Sequence, residues 1–314
     1  MTVKEIFELR KQGRIEEAYE AIRPMYAVHK GKYTTLCMFW TASDMLKKKL
    51  QEEHADEASK IFSALLRLQP SIDDRDGKVR QAVLHHALRL KEALPGFSML
   101  GFMEKYGVER LADADWQGAM STPQAGNGER PHPLPSTAQR LLTHCFHEIQ
   151  QNPTVDLVLK VMPLLQEAVR RYPRDKHNLR YMAVVYTIMG ETEKAMMLYR
   201  QLLSRYHDSY LYAELAELTT EPGPKAALLC QAILHQRQEK FCQGYRLSLA
   251  LLLAGRDDAR AAHELQKCLA TRRALGYAVT RDLQQLEQRL GSVLPATDSQ
   301  QKDFYQRMIA KYPV

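Results

Sequence analysis

Apolar residues recur at intervals of three and four along most of this chain, a period near 3.6 that predicts one helix after another. In 136–151, for example, Leu141, Cys145 and Ile149 repeat at four-residue steps beside Leu142 and Phe146. Breakers fall between such runs, so the pattern predicts helices near 2–11, 14–29, 32–51, 54–68, 77–93 and 97–106, then 136–151, 154–172, 176–189, 192–206, 209–219, 223–236, 240–254, 257–271, 276–290 and 298–312. Pro163 predicts a kink or a late start in the second helix of the latter group. Between the groups, 121–135 concentrates Pro, Gly and polar residues without apolar periodicity. It reads as a flexible linker separating a helical block over 1–120 from a second over 136–314.

The pattern also repeats on a longer scale. In 176–209, Leu179, Met182, Ala183 and Tyr186 share one face of a first helix, Gly190 allows a turn, and Ala195, Tyr199 and Leu202 follow on a second helix. Small Ala183 and Ala195 let two helix backbones approach closely, with the tyrosines filling the space beside them. The same five-residue step from glycine to alanine links Gly13 to Ala18, followed by Ile22 and Met25. A further second helix reads Ala58, Phe62, Leu65 and Pro70, and a weaker unit runs through Tyr245, Leu251, Gly255, Ala261 and Cys268, where the step is six. Repeats of this kind bury a continuous core only by stacking.

These residues resemble the tetratricopeptide (TPR) pattern of Ala, aromatic, small or apolar, and Pro. The resemblance covers most of the chain outside 121–135 and implies an all-α fold of degenerate TPR-like helix-turn-helix repeats stacked as an α-solenoid. Such folds bind peptides or assemble complexes, so the expected function is a non-enzymatic protein-interaction scaffold. One subset of the superfamily grips a C-terminal carboxylate with paired Lys and Asn; here Arg180 supplies a cation, but Val184 stands where that Asn would fall. The segments 6–19 and 33–40 look like the helical N-terminal region of bacterial proteins linked to TOTE conflict systems. That likeness implies a role in a bacterial defence or mobile-element system. In those proteins a small nucleic-acid-binding barrel can follow, and no barrel is legible in these 314 residues. The chain stops directly after an amphipathic helix, which suggests a piece of a longer protein.

The face expected to take a protein or peptide partner carries His177, Arg180, Val184 and Thr187 from one unit and Tyr245 and Leu249 from another. An alternative use follows from charge. The chain carries a formal +7, and Arg170, Arg171, Arg174, Lys176 and Arg180 form a basic edge suited to nucleic acid as an accessory module.

Other chemistry finds less support. Gly126 and Gly128 lack the following Lys-Ser or Lys-Thr of a phosphate loop. His144 and Glu148, one turn apart beside His147, could share a cation, but no fourth ligand is evident. His85 and His86 diverge by about 100° on a helix and cannot converge on one substrate. Asp73, Asp74 and Asp76, like Asp113 and Asp115, precede helices and read as caps or solvated residues. The five cysteines are scattered and read as reduced core residues. No catalytic set, metal site, cofactor or small-molecule substrate is expected. The absence of a long apolar stretch predicts no membrane partner and a cytoplasmic protein.

Overall fold

The computed structural model describes residues 1–121 and 131–313. The protein is all-α: 75% of it is helical, with 17 α-helices and one two-stranded ladder among the described residues. No described helix is long and apolar enough to cross a membrane. The fold divides into two compact units, Met1–Arg170 and Arg171–Val314.

The first unit opens with α1 (Val3–Lys11), α2 (Ile15–Val28), α3 (Lys32–Gln51), α4 (Ala55–Leu68) and α5 (Lys78–Ala93), each packed on the next in the chain, with α1 and α5 both also touching α3. Then come α6 (Met99–Tyr106), α7 (Asp113–Trp116), α8 (Thr137–Gln151) and α9 (Val155–Arg171), at whose end the units divide. Helix α9 starts at Val155 and runs through Pro163, so the expected late start does not occur. The strands β1 (Ala119–Met120) and β2 (Pro133–Leu134) pair antiparallel, and the Ser121 amide extends the ladder to the His132 carbonyl at 2.8 Å. Two-residue strands leave no periodicity to read.

The expected linker spans 121–135, of which 122–130 lie outside the described residues. The observed division, between Arg170 and Arg171, is elsewhere. Helix α8 follows that segment but packs on α5, α6 and α7, so its apolar face belongs to the first unit's core.

The second unit is built of the hairpins α10 (Lys176–Ile188) with α11 (Thr192–Leu203), α12 (Ser209–Leu218) with α13 (Pro222–His235), and α14 (Gln243–Leu253) with α15 (Asp258–Ala274). Helix α16 (Arg281–Leu290) packs on α15, and α17 (Asp298–Lys311) returns to α13, out of sequence order. The small residues do what their spacing predicts: Ala183 and Ala195 are both fully buried, beside buried Tyr199 and Leu202.

Turn chemistry explains the five-residue step. After α1, Gly13 takes φ 78°, its amide bonds to the Arg10 carbonyl and the Arg14 amide to Leu9. After α10, Gly190 takes φ 77°, with the amides of Gly190 and Glu191 on the carbonyls of Thr187 and Tyr186. This paired closure satisfies the last helical carbonyls and needs a left-handed residue. The turn after α3 is built the same way, with Glu53 (φ 60°) in the left-handed position five residues before Ala58.

A buried polar network fixes α17. Glu264, wholly inaccessible, accepts from Arg246 Nη1 at 2.7 Å, Gln301 Nε2 at 2.5 Å and the Tyr305 hydroxyl. Arg246 is held in turn by Glu239. A carboxylate out of water is tolerable only with such a set of donors.

Candidate functional site

The expected partner face lies on the second unit, and its geometry follows from α10, α12 and α14. Helix α10 begins at Asp175, whose carboxylate caps the Asn178 amide at 2.9 Å. One turn in, Arg180 Nε reaches both oxygens of Glu214 on α12 at 3.1 Å, and Nη2 reaches Oε1 at 2.5 Å. The guanidinium lies 4.7 Å from the Tyr210 ring centroid, a cation–π contact. Burial alone would lower the Arg180 pKa, but Glu214 outweighs it and the net shift is upward.

Lys176 repeats the arrangement at the edge, 3.0 Å from Asp208 and 5.4 Å from the Tyr206 ring. Behind the Arg180–Glu214 pair is Tyr199, whose hydroxyl is pushed well above the usual range by burial and then by Glu214. From α14 comes Tyr245, half-buried, its pKa raised by burial while nearby Ser209 pulls the other way and Glu214 and Arg180 add opposing fields. Tyr245 thus lies near Ser209 of α12, within the fields of Glu214 and Arg180.

The other expected residues sort by exposure. His177 and Thr187 are exposed and Val184 is half-buried, all on α10. The Thr187 hydroxyl donates to the Ala183 carbonyl. Leu249 is a correction: it is fully buried in the core, because α14 turns that face toward neighbouring helices. Tyr210, Glu214 and Asp208 went unnoticed in the sequence. The spacing was there to read, since Arg180 and Glu214 lie 34 residues apart, the interval expected between units of the repeat pattern.

Little of the basic edge stands unopposed. Arg170 pairs with Glu167 at 2.6 and 2.7 Å, Lys176 with Asp208 and Arg180 with Glu214. Arg174 is exposed, and Arg171 has interactions of its own. Arg170 belongs to the first unit and the other four to the second.

The remaining candidates have structural occupations. Glu148 accepts from Lys91 Nζ at 2.7 Å, Ser98 Oγ at 3.0 Å and the amides of Met99 and Leu100 at 2.7 and 3.3 Å, so it caps α6 from α8. Asp74 caps α5 through the amides of Val79 and Arg80. Asp115 caps α7 by accepting from the Ala112 amide at 2.9 Å, but it is buried rather than solvated and accepts also from Arg80 Nε at 2.9 Å. All five cysteines are free thiols and buried. Burial pushes Cys242 up to about 11, and the others also rise, which leaves them weak nucleophiles.

These features define an all-α protein of paired helices with an ion-aromatic cluster across one face. Residues 179–311 match a family described as a domain of unknown function, DUF7017. That span runs from the first turns of α10 to the end of α17. No curated protein matches the chain.

Proposed function

We propose that the protein is a non-enzymatic interaction scaffold with a tetratricopeptide-like groove, and that a peptide segment of a protein partner docks on the α10–α12–α14 face. The observation that carries this reading is the Arg180–Glu214–Tyr210 cluster. It pairs Arg180 with Glu214 and fixes half-buried aromatic surface, with Val184 and Tyr245 at the face and His177 and Thr187 as polar contacts at its rim. Rigid aromatic anchors of this sort carry most of the energy in protein interfaces. A phosphate-binding surface needs cations left available for counterion release, and the partly buried pairing of Lys176 and Arg180 weighs against that alternative.

The test is capture from native-cell extract by the full-length protein, with nuclease, read by mass spectrometry. Tyr245→Ala and Val184→Asp should each weaken a captured partner by about 30-fold, the effect of losing an anchor. Combined Arg170→Glu and Arg174→Glu should leave capture intact. Nuclease-sensitive capture lost on charge reversal would instead support nucleic acid.

A further inference from the structure

The first unit contains a cavity of about 470 Å3 that the reading above does not use. Its walls come from α3 (Trp40, Ser43, Lys47), α5 (Lys78, Gln81, His85, His86) and the start of α8 (Thr137, Arg140), with Asp115 at one side. Three cations and one carboxylate line it, and that carboxylate is already held by Arg80 and a backbone amide.

The cations are only loosely committed. Lys47 is 3.1 Å from Asp44, but Asp44 also serves Arg10. Arg140, about two-fifths exposed, meets Glu92 at 3.1 Å, and Lys78 meets Asp76 at 2.8 Å through largely exposed side chains. Exposed pairs of this type contribute little and exchange readily. The electrostatic balance of the cavity therefore favours an anion.

A buried donor adds direction. His86 lines the cavity, is 1% exposed, and places Nε2 2.7 Å from Ser43 Oγ. Its Nδ1 is buried with no hydrogen-bond partner among the described residues. With the Ser43 hydroxyl donating to Nε2, the neutral ring carries its proton on Nδ1. In that tautomer an N–H stands without an acceptor beside three cations whose carboxylate partners lie outside the cavity wall, which is half of an oxyanion site.

We propose that this cavity binds an oxyanion group, the phosphate or carboxylate of a small ligand, with Lys47 and Arg140 supplying charge and His86 Nδ1–H the hydrogen bond. The proposal is independent of the peptide face on the second unit.

Full-length protein with 15N-labelled histidine is titrated with inorganic phosphate, with citrate and, as control, with sodium chloride at matched ionic strength. The expected result is saturable movement of the His86 ring nitrogens by phosphate or citrate, the tighter of the two identifying the anion. The Lys47→Gln, Arg140→Gln double variant should bind at least about tenfold more weakly with unchanged melting temperature, as loss of charge-assisted contacts requires. Arg205→Gln, an exposed cation of the second unit, should bind as the unmodified protein does. Absence of a saturable shift with both anions would overturn the proposal. So would binding undiminished in the double variant, or a His86 proton found on Nε2.

Discussion

Arg180 on α10 grips Glu214 on α12, 34 residues later, while the Tyr210 ring one turn before Glu214 lies under the guanidinium. The first unit contains the same chemistry over the same interval: Arg10 on α1 pairs with Asp44 on α3 and lies 5.7 Å from the Trp40 ring, again one turn before the acid. The registers differ, since Arg10 ends its helix and Arg180 lies near the beginning of its own. An arginine that joins alternate helices, packed on an aromatic ring, is thus a device used in both units.

The pair's energetics can be separated. Both side chains of the Arg180–Glu214 pair are about four-fifths buried. Removing either leaves a partly desolvated charge without its partner, so Arg180→Ala or Glu214→Ala should destabilise by about 1–3 kcal/mol. The double variant should lose less than the sum, and Arg180→Lys should recover little because an ammonium cannot reproduce the planar fork. Urea unfolding through a double-mutant cycle measures this; additive effects would mean that the pair contributes no coupling.

Glu53 bears a conformational cost that Gly13 and Gly190 avoid at equivalent turns. A left-handed residue with a Cβ is strained by about 1 kcal/mol or more, partly offset by glycine's greater freedom when unfolded. Glu53→Gly should therefore raise stability by about 0.5–1 kcal/mol, seen as a higher urea midpoint at unchanged slope. A lower midpoint would show that the Glu53 side chain contributes more than its backbone strain removes.

The same position shows what could be read from sequence. Helices were legible because burial of one face imposes a period on the chain, and Ala183, Ala195 and Tyr199 were legible because close helix approach demands small residues beside large ones. Glu53 hides the turn after α3 from the sequence, because it takes the left-handed conformation that a glycine would ordinarily mark. Leu249 was misplaced because which side of α14 faces inward depends on α13 and α15, not on its own pattern. The Arg180–Glu214 pair required matching charges one period apart, and the work of Glu148 depends on amides some fifty residues away in the chain, beyond any local signal.

His86 gives the first unit a defined acid sensitivity. Burial, followed by the fields of Lys47, His85 and Arg89, lowers its pKa from 6.5 to about 4, with Asp44 opposing. Between those values the unfolded chain binds a proton that the native state does not. The contribution to stability is then complete above pH 6.5 and is lost as pH falls to about 4, with a ceiling of about 3 kcal/mol. Subtracting the stability-versus-pH curve of His86→Gln from that of the unmodified protein should isolate this slope. Equal slopes across the window would place the titration elsewhere.

Glu148 provides the sharpest distinction between a metal ligand and a structural cap. Burial alone would raise its pKa, but Lys91, the Met99 and Leu100 amides and Ser98 outweigh burial and hold it below the ordinary carboxylate value. A depressed carboxylate stabilises the fold above its unfolded pKa, and that stabilisation is lost as pH falls through the native value. Glu148→Ala would leave the Lys91 ammonium without its carboxylate, though still on the Phe97 carbonyl at 2.8 Å, and two amides without their acceptor at the α6–α8 junction, costing about 1–3 kcal/mol. Glu148→Gln should retain part of this, because an amide oxygen still accepts although without charge. A chelator should leave the melting temperature of the unmodified protein where it was, since the carboxylate that His144 and His147 would need is already taken up by four donors. A chelator-induced fall in melting temperature, absent in Glu148→Gln, would show instead that the carboxylate serves a cation.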